Sequence, residues 1–523
     1  MDALIIAGIS KSSGSQYGVG QQVVLDGRVM SYTNLQKTFG VNSPNNASNY
    51  NTPYLAGIYL YNYLSRRGIN CGLINFLDNE IESFIKFIKQ SPKVIALSST
   101  FLTSIQLVKK VTQLIRRYAP DIKIILGGPL VYNSYLLYQL RNSNYDTASC
   151  RQDYFFLNTE EFYHQDIDLF VIEEQGEETL RQIVWAIKNC RDYKEIPNLA
   201  YYQNNQLHFT ARKAEHNDFA EDLVHWDEVP EEYVYPIFPM RGSRGCPYRC
   251  RYCNFSPNRI FQLKSPEILG QEIAALVKMG RAKMIRFTDD NLFLTRKQVE
   301  QYCRKIIEVG KGIRWSSFIR ANSISKENVK LIRDSGCIAT MIGMESGNKN
   351  ILKEMNKEDT PEHYLEAIAL LNAQGISTQL SFLIGFPGET PQTIEDTASL
   401  INQFPYQGPA LNEVSIFPFG LAPLSPIYSP EYREKYHLSG YMMDWSHGTM
   451  NSEEAKKYAG ELFVRLRHVH GHYGIEELIL LNITKLKKIA ELRSQIRRAE
   501  MTRNSPPMNE PLWKELKEVV LSD

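Results

Sequence analysis

The sequence predicts an α/β protein with two successive parallel sheets and a mostly helical C-terminal region. Its 523 residues are too many for one ordinary hydrophobic core, so we expect two or three domains. Over residues 1–430, short apolar runs alternate with segments whose apolar residues recur at helical spacing, which is typical of parallel strands joined by helices. After residue 430, helical spacing dominates.

Composition and charge exclude several classes of protein. Hydrophobic residues make up 43% of the chain and the formal net charge is +1, which indicates neither a nucleic-acid-binding protein nor a disordered one. No apolar run approaches the ~20 residues that cross a bilayer, and the first residues lack the basic start of a signal peptide. Only three of the eight cysteines are clustered, which argues against a secreted disulfide framework. We therefore expect a cytoplasmic enzyme without a membrane span.

Residues 1–210 are predicted to form a doubly wound, Rossmann-like sheet. Helical spacing over residues 54–67 and 102–118 separates the apolar runs, and a hairpin at residues 198–202 and 207–210 closes the sheet. The predicted strands are residues 3–7, 71–76, 93–98, 123–126 and 168–172. Sheets of this kind bind ligands at the carboxyl ends of their strands.

Small or polar residues follow three of these strands, where a ligand would bind. Glycine lets the backbone approach a bulky ligand, and serine and threonine supply short hydrogen-bond donors. The candidate contacts are Ser98, Ser99, Thr100, Gly127, Gly128, Glu173 and Gly176. The alternative is that they are ordinary turn residues. Polar insertions at residues 8–51 and 142–165 interrupt the sheet, and we expect the first to cover the ligand face.

A linker over residues 211–235 leads to a second strand–helix series at residues 236–430, which predicts a partial (β/α)6 barrel of the TIM type. Each predicted strand ends in polar or glycine-rich residues, and the active sites of such barrels lie at the carboxyl ends of the strands. The strands are predicted at residues 236–241, 283–288, 312–318, 338–344, 378–384 and 413–417.

Three cysteines follow the first strand of this barrel. Cys246, Cys250 and Cys253 form a C-x3-C-x2-C array, and the next cysteine is Cys303. A structural zinc site or a [4Fe–4S] cluster normally has four protein ligands. Three ligands on a four-iron cluster leave one iron open, as an enzyme needs if a substrate must bind the metal. The alternative is a zinc knuckle or a set of buried thiols.

This loop resembles the radical S-adenosylmethionine (radical SAM) superfamily, in which the open iron chelates SAM. The segments from Gly343 to Gly347 and from Gly385 to Thr390 look like motifs of the group that carries an N-terminal cobalamin-binding domain. The resemblance implies a [4Fe–4S] cluster, SAM and cobalamin as cofactors. It also implies that the first sheet binds cobalamin and that the barrel is the radical SAM core.

By the same resemblance, Tyr252 would contact adenine and Glu345 would bind the ribose or methionine of SAM. Asp289 would accept from the SAM ammonium, although Asp-Asp-Asn stands here where Gly-Gly-Glu is commoner. Arg320 is a cation that can bind a carboxylate, and Gly385 begins a glycine-rich SAM-site turn. A salt-bridge network at the barrel mouth is the alternative role for Asp289, Arg320 and Glu345.

The first sheet departs from many cobalamin-binding domains at one position. Those domains carry Asp-x-His-x-x-Gly after the first strand, and the histidine replaces the lower cobalt ligand. The first histidine of this chain is His164, so that ligand is missing. If cobalamin binds, its lower face is expected to have no nearby histidine donor.

Residues 431–523 are predicted to form a helical cap. His447 is a candidate acid or base, with packing as the alternative role. Residues 474–498 have the spacing of an amphipathic helix, and the alternating His468, His470 and His472 do not match a helical metal pair. Cys303 and Cys337 fall on helical patterns and are expected to be inert core residues.

The expected activity, implied by the resemblance, is methyl transfer to an unactivated carbon of a natural-product, peptide or lipid-precursor substrate. One SAM would methylate cobalamin, and a second would be cleaved to the radical that activates the substrate. Such an enzyme would need an external electron donor of the flavodoxin or ferredoxin kind, and no nucleic acid. The alternatives are radical SAM cyclisation or rearrangement without methyl transfer, and a non-catalytic iron–sulfur redox protein.

Overall fold

The computed structural model describes residues 1–9, 21–41, 52–150, 166–204, 206–255, 261–474, 477–502 and 510–522. The chain divides into two compact units, each of which includes part of the N-terminal region. The first unit is Met1–Gly14 with Pro53–Val234, and the second is Ser15–Thr52 with Tyr235–Asp523. Residues 10–20 and 42–51 of the insertion predicted at residues 8–51 lie outside the described residues, as do residues 151–165 of the other insertion, with His164.

A seven-stranded sheet forms the core of the first unit. Its five parallel strands have the flavodoxin-like order 2-1-3-4-5 in chain sequence, and a two-stranded antiparallel hairpin extends it, as predicted. In sheet order the strands are Cys71–Ile74, Ala3–Ile6, Val94–Ser98, Lys123–Gly127, Leu169–Val171, Leu199–Gln203 and Gln206–Phe209. Each of the parallel strands is buried almost throughout, because helices cover both faces of a doubly wound sheet.

Among the described residues of this unit, the strands are connected by the helices Leu55–Ser65, Ile81–Ile88, Ile105–Tyr118, Pro129–Leu140 and Glu177–Lys188. The longest of these helices, Ile105–Tyr118, shows which local sequence features favour helix formation. The Ser104 hydroxyl accepts from the N–H of Leu107 and caps the helix, and the buried residues Ile105, Val108, Val111 and Ile115 follow helical spacing. Two short 3-10 turns, Trp226–Glu228 and Glu231–Tyr233, end the unit.

The segment predicted as a linker, residues 211–235, packs largely on the first unit. Glu215 accepts from the N–H groups of Glu178 and Thr179 at 2.9 and 2.8 Å and so caps the last helix of that unit. Trp226 and Tyr233 are both buried. The sequence alone could not reveal this, because the acidic composition of the segment is equally typical of a solvated connection.

The second unit is built on seven parallel strands in an open series, which confirms the predicted α/β fold of this part. In sheet order the strands are Ile237–Met240, Met284–Phe287, Arg314–Phe318, Cys337–Glu345, Ser377–Ile384, Asn412–Pro418 and His470–Gly471. The first six coincide with the predicted strands to within two residues at each end. The seventh belongs to the predicted cap and adds to the sheet.

Helices alternate with the first six strands of this sheet. They are Pro266–Met279, Arg296–Gly310, Val329–Asp334, Lys349–Glu354, Pro361–Ala373 and Pro391–Asn402. Cys303 lies buried on one of them, as predicted. The helical pattern at Cys337 was wrong, because Gly336 with φ +96° ends the preceding helix and Cys337 begins a buried strand.

The C-terminal part combines helices with a small three-stranded sheet. The strands are Ser439–Tyr441, Asp444–His447 and Met450–Asn451, and the helices are Pro430–Tyr436, Ser452–Arg465, Glu477–Leu480, Ile483–Thr502 and Pro511–Leu521. The single helix predicted at residues 474–498 is two helices, because Asn482 accepts from the N–H of Lys485 and starts the second. No helix of the described residues is long and apolar enough to cross a membrane.

Residues 21–41, in the first insertion, pack within the second unit. The role of this insertion as a cover over the first sheet stays a prediction. Residues 21–41 contain the hairpin Val24–Leu25 and Arg28–Val29 and the helix Tyr32–Thr38. Leu35 joins a buried cluster with Ile489 and Trp513 of the C-terminal helices. This pairing joins positions more than 400 residues apart, which no local pattern encodes.

Candidate active site

The three cysteines lie in a loop after the first strand of the second sheet, Ile237–Met240. Ser243–Arg244 pairs antiparallel with Gln262–Leu263, and this hairpin holds both ends of the loop. Next to the hairpin, the fully buried side chains of Lys264 and Glu272 form an ion pair. Residues 256–260, within the loop, lie outside the described residues.

Backbone N–H groups donate to the sulfur atoms of Cys246 and Cys253. Cys250 is buried, and Cys246 and Cys253 are half-buried. The N–H of Phe255 donates to the Sγ of Cys253 at 3.4 Å, and the N–H of Tyr248 donates to Cys246. Burial raises the pKa of Cys246, whereas the N–H donor favours its thiolate.

These cysteines suit an iron–sulfur cluster better than a single ion. In a four-iron cluster each of the three cysteine thiolates binds its own iron. A closed zinc site would need four ligands around one ion. The donor set therefore fits the predicted cluster with one iron left open.

Asp289 holds the start of the cysteine loop. It is 4% exposed, and its carboxylate accepts from the N–H of Gly242 at 2.9 and 3.0 Å and from the hydroxyl of Ser243 at 2.5 Å. Burial raises the pKa of Asp289, although these donors favour the charged form. The neighbouring Asp290 is the acid whose charge acts on Cys246. The carboxylate of Asp289 is thus engaged with the backbone that leads into the loop.

Arg320 is a buried cation beside the loop. Its guanidinium carbon lies 3.7 Å from the ring centroid of Tyr248, and its Nε lies 3.4 Å from Oδ2 of Asp359. Burial would lower the pKa of Arg320, but the charges of Cys250 and Asp359 outweigh it and raise the pKa. Its Nη2 is buried with no hydrogen-bond partner among the described residues, so a donor remains for an anionic ligand.

Glu345 ends the fourth strand of the second sheet and meets the cysteine loop. Its Oε1 accepts from the hydroxyl of Tyr252 at 2.8 Å and from the Nζ of Lys357 at 3.2 Å. Burial and the charge of Glu345 raise the pKa of Tyr252. Glu345 has φ +67°, a left-handed conformation that costs energy for a non-glycine residue. A Cβ on Gly343 would stand 2.3 Å from its Oε1, so Gly343 leaves the space for this carboxylate.

Gly385 begins a turn that two buried side chains hold. Its N–H donates to Glu389 at 2.5 Å, and its carbonyl lies 3.0 Å from the Nε2 of His447. The Nδ1 of His447 accepts from the N–H of Thr449, so Nε2 carries the proton and donates to Gly385. Burial lowers the pKa of His447, and both ring nitrogens are engaged. These contacts support the packing role for His447. A Cβ on Gly385 would lie 2.6 Å from the Cβ of Ala455, so a side chain there would clash with the helix Ser452–Arg465.

In the first unit, the loops after the third and fourth parallel strands meet at the carboxyl edge of the sheet. The N–H of Ser99 donates to the carbonyl of Gly127 at 2.8 Å, and the Ser98 hydroxyl lies 3.1 Å from that of Thr100. Gly128 has φ +99°, and a Cβ on it would lie 2.9 Å from the Oγ of Ser99. These five predicted contacts thus lie together at one edge of the sheet, where Ser98 and Ser99 are buried and Thr100, Gly127 and Gly128 are half-buried.

The loop after the fifth parallel strand holds the other two predicted contacts. Glu173 is 4% exposed and pairs with Arg212 at 3.2 Å, and Arg212 lies 3.5 Å from the hydroxyl of Tyr132. Gly176 caps the next helix with φ +72°. The carboxylate of Glu173 is therefore engaged by the segment that the sequence predicted as a linker.

Several residues at these sites escaped the sequence analysis. Lys357 carries no local motif, and its role depends on a contact with Glu345 across the sheet end. Tyr248 and Asp359 belong to the site because both contact Arg320, and only the folded structure shows these contacts. Phe101, next to the predicted Ser98–Thr100 turn, is an aromatic residue 40% exposed in a loop, which is a signal that the sequence did offer.

The fold and the cysteine loop define an iron–sulfur enzyme of the α/β class with an N-terminal ligand-binding sheet. The profile of the radical SAM superfamily matches residues 240–401, and that of the B12 binding domain matches residues 47–147. The chain therefore carries a radical SAM domain and a B12-binding domain. These domains imply a [4Fe–4S] cluster, SAM and cobalamin as cofactors.

Similar proteins include methyltransferases and a cyclase. The chain is 27% identical to an uncharacterized methyltransferase of Pyrococcus horikoshii over 265 residues. The aligned region covers 47% of this chain and 58% of that protein. It is 26% identical over 242 residues to an anaerobic magnesium-protoporphyrin IX monomethyl ester cyclase of Rubrivivax gelatinosus, over 43% of each chain. The chain thus spans about half the length of these curated relatives.

A solved structure shares the fold. It is the radical SAM methyltransferase TsrM from Kitasatospora setae, with cobalamin and a [4Fe–4S] cluster bound. The TM-score is 0.58 at 16% identity, over 83% of this chain and 78% of that one. This likeness shows a shared fold. The order of the two family matches along the chain confirms the predicted succession of a B12-binding sheet and a radical SAM core.

Proposed function

We propose that this protein is a cobalamin-dependent radical SAM methyltransferase that acts on an unactivated carbon. One observation carries the proposal: a three-cysteine loop, after the first strand of a radical SAM domain, occurs in one chain with a B12-binding domain. When bound, the cluster and SAM supply the radical that activates the substrate, and cobalamin supplies the methyl group.

The residues of the second unit would bind and orient SAM. Cys246, Cys250 and Cys253 would hold the cluster through three of its irons and leave the fourth iron open for SAM. The free Nη2 of Arg320 is the proposed donor to an anionic group at the loop, and Tyr252 with Glu345 forms the proposed wall for adenine and ribose. We propose that Asp289 acts through the backbone of Gly242 and Ser243, because both its oxygens accept from that segment.

In the first unit, Ser98, Ser99, Thr100, Gly127 and Gly128 are the proposed contacts for cobalamin. The half-exposed Thr100 can offer its hydroxyl to the polar rim of a corrin, and the glycines let the corrin approach the backbone. The buried Ser98 and Ser99 shape the turn that presents Thr100. Glu173 and Gly176 are proposed to shape the same edge, with Arg212 fixing the carboxylate. The substrate is proposed to be a small molecule or a peptide.

Radical SAM domains need a reductant, and we propose a flavodoxin- or ferredoxin-like donor. An oxygen-labile cluster requires a reducing compartment, which supports a cytoplasmic location.

The proposal is tested on anaerobically reconstituted full-length protein. Wild type should hold about four irons per chain, retain hydroxocobalamin through gel filtration, and cleave SAM under reduction. Replacing Cys246, Cys250 and Cys253 together with Ala should remove iron and SAM cleavage. The exposed Cys190 provides the matched control, and C190A should keep both. Stoichiometric zinc in wild type, or SAM cleavage by the triple variant, would contradict the proposal.

Cyclisation without methyl transfer is the second candidate, and the similarity to the cyclase of Rubrivivax gelatinosus supports it. A label separates the two candidates. With SAM that carries a labelled methyl group, a methyltransferase should pass the label to the bound corrinoid, whereas a cyclase should bind the corrinoid and leave it unlabelled.

A further inference from the structure

The first sheet contains a crevice at one defined place. Ala3–Ile6 and Val94–Ser98 are neighbours in the sheet, and the chain leaves them toward opposite sides, because the strand order is 2-1-3-4-5. Sheets of this order bind their ligands in the crevice outside the carboxyl ends of these two strands. The residues that line the crevice therefore face the ligand of this unit.

Two stacked aromatic rings lie at this crevice. The rings of Tyr54 and Phe101 are nearly parallel, 14° apart, with centroids separated by 3.6 Å. Tyr54 is 4% exposed, whereas Phe101 is 40% exposed although it is large and apolar. Tyr54 covers one face of Phe101, and the exposed part of Phe101 is left for another partner.

The chain fixes this pair firmly. The N–H of Tyr54 donates to the side chain of Asn75 at 2.7 Å, and Phe76 packs edge-on against Tyr54 with centroids 4.8 Å apart. A Cβ on Gly8, just after the first strand, would stand 2.4 Å from the Tyr54 ring and 3.6 Å from the Cβ of Phe101. The pair thus lies between the loops that follow the two strands of the crevice, and Gly8 leaves the room for it.

We propose that Phe101 packs against the lower face of the corrin of cobalamin, so that an aromatic ring occupies the position below cobalt and supplies no ligand to it. The inference rests on the proposed function. A corrin across this edge turns one face to the sheet, and the face that meets a substrate must be the other one. The ring on the sheet side is therefore on the lower side. Apolar contact between two flat conjugated systems is favourable there.

The neighbouring side chains support an apolar lower face. The hydroxyls of Ser98 and Thr100, at the end of the strand before Phe101, lie 3.1 Å apart and hydrogen-bond to each other. The histidines that the structure describes in this unit are His208, on the closing hairpin, and His216 and His225, on the segment after it. The described residues of the crevice thus offer no imidazole, the usual nitrogen ligand of such metals.

Electron paramagnetic resonance of the protein loaded with cobalamin in the cobalt(II) state provides the test. Wild type should show no superhyperfine splitting from a protein nitrogen. In F101H the new imidazole should reach cobalt and produce that splitting. Tyr118 ends the helix Ile105–Tyr118 at the opposite edge of the sheet and is 45% exposed, so Y118H is the matched control and should keep the wild-type spectrum.

Retention of cobalamin gives a second readout. F101A should bind hydroxocobalamin about tenfold more weakly than wild type, while Y118A should bind as wild type does. If F101H does not retain cobalamin, a loss in F101A with normal retention in Y118A still supports the contact. An unchanged spectrum in a cobalamin-loaded F101H overturns the inference, as does unchanged retention by F101A when F101H cannot be loaded. Wild type that binds no cobalamin overturns the proposed function instead.

Discussion

At the scale of single residues, the structure adds Lys357 to the site. Its Nζ lies 3.2 Å from Oε1 of Glu345, which is buried, and 3.4 Å from the hydroxyl of Tyr252, which is half-buried. The lysine thereby joins the cysteine loop to the end of the fourth strand. It also stabilises a carboxylate whose backbone is strained, so we regard it as a positioning residue for SAM.

Replacing Lys357 with Met should weaken SAM binding about tenfold, because a hydrogen bond to a charged group contributes about 1.5 to 3 kcal/mol. The iron content should stay at the wild-type level, and K357R should recover part of the affinity. The measurement is the titration of the SAM-induced change in the spectrum of the reduced cluster. Lys349 pairs with Glu362 at the surface, so K349M is the control and should bind SAM normally. Loss of iron in K357M, or unchanged SAM affinity, would show that Lys357 does not position SAM.

At the scale of elements, the turn from Gly385 to Glu389 is held from within. The fully buried carboxylate of Glu389 accepts from the N–H of Gly385, and His447 donates to the carbonyl of the same glycine. Burial raises the pKa of Glu389 to about 8, although the backbone donors oppose the shift. The carboxyl group of Glu389 is therefore protonated in the folded state at a pH where the same group has lost its proton in the unfolded chain.

The raised pKa of Glu389 predicts that the free energy of unfolding decreases as the pH rises. Because the folded pKa lies above the unfolded one, Glu389 contributes full stability below about pH 4.3, and this contribution is lost as the pH rises through about 8. Over that window the free energy of unfolding should fall by on the order of 3 to 5 kcal/mol. Replacing Glu389 with Gln should remove this dependence, as measured by denaturant unfolding of anaerobic protein at several pH values.

The control for this prediction is Glu395, which forms an exposed ion pair with Arg465. E395Q should keep the pH dependence of wild type. A slope that persists in E389Q would show that other groups cause it.

At the scale of the whole molecule, the second unit joins segments from opposite ends of the chain. Both amide atoms of the Gln21 side chain bond to the backbone of Ile416, at 2.7 and 3.0 Å. Glu477 accepts from the N–H of Tyr32 at 2.7 Å and forms a buried ion pair with Arg493 at 2.7 Å. The N-terminal segment is therefore an integral part of this unit.

Replacing Glu477 with Leu should cost about 3 to 5 kcal/mol, because it leaves Arg493 buried without a counter-charge. Replacing both residues with Leu should cost much less. Denaturant unfolding gives the free energies, and hydrogen exchange over Tyr32–Thr38 should accelerate in E477L. The surface pair of Lys488 and Glu515 is the control, and E515L should change stability by less than about 1 kcal/mol. Equal losses in E477L and in the double variant would contradict the argument.

The sequence by itself determined the strand positions of both sheets and the nature of the cysteine loop. Strands buried on both faces have continuous apolar runs, and the cysteine loop is a contiguous motif, so both are local signals. The tertiary structure alone decided what joins distant positions. In the folded structure residues 21–41 belong to the second unit, His470–Gly471 extends the sheet of that unit, and Cys337 begins a strand. The tertiary structure also engaged Asp289 with Gly242, linked Lys357 to Glu345 and stacked Phe101 on Tyr54. These contacts depend on which strand ends become neighbours, and that information is a property of the folded sheet, not of any short stretch of chain.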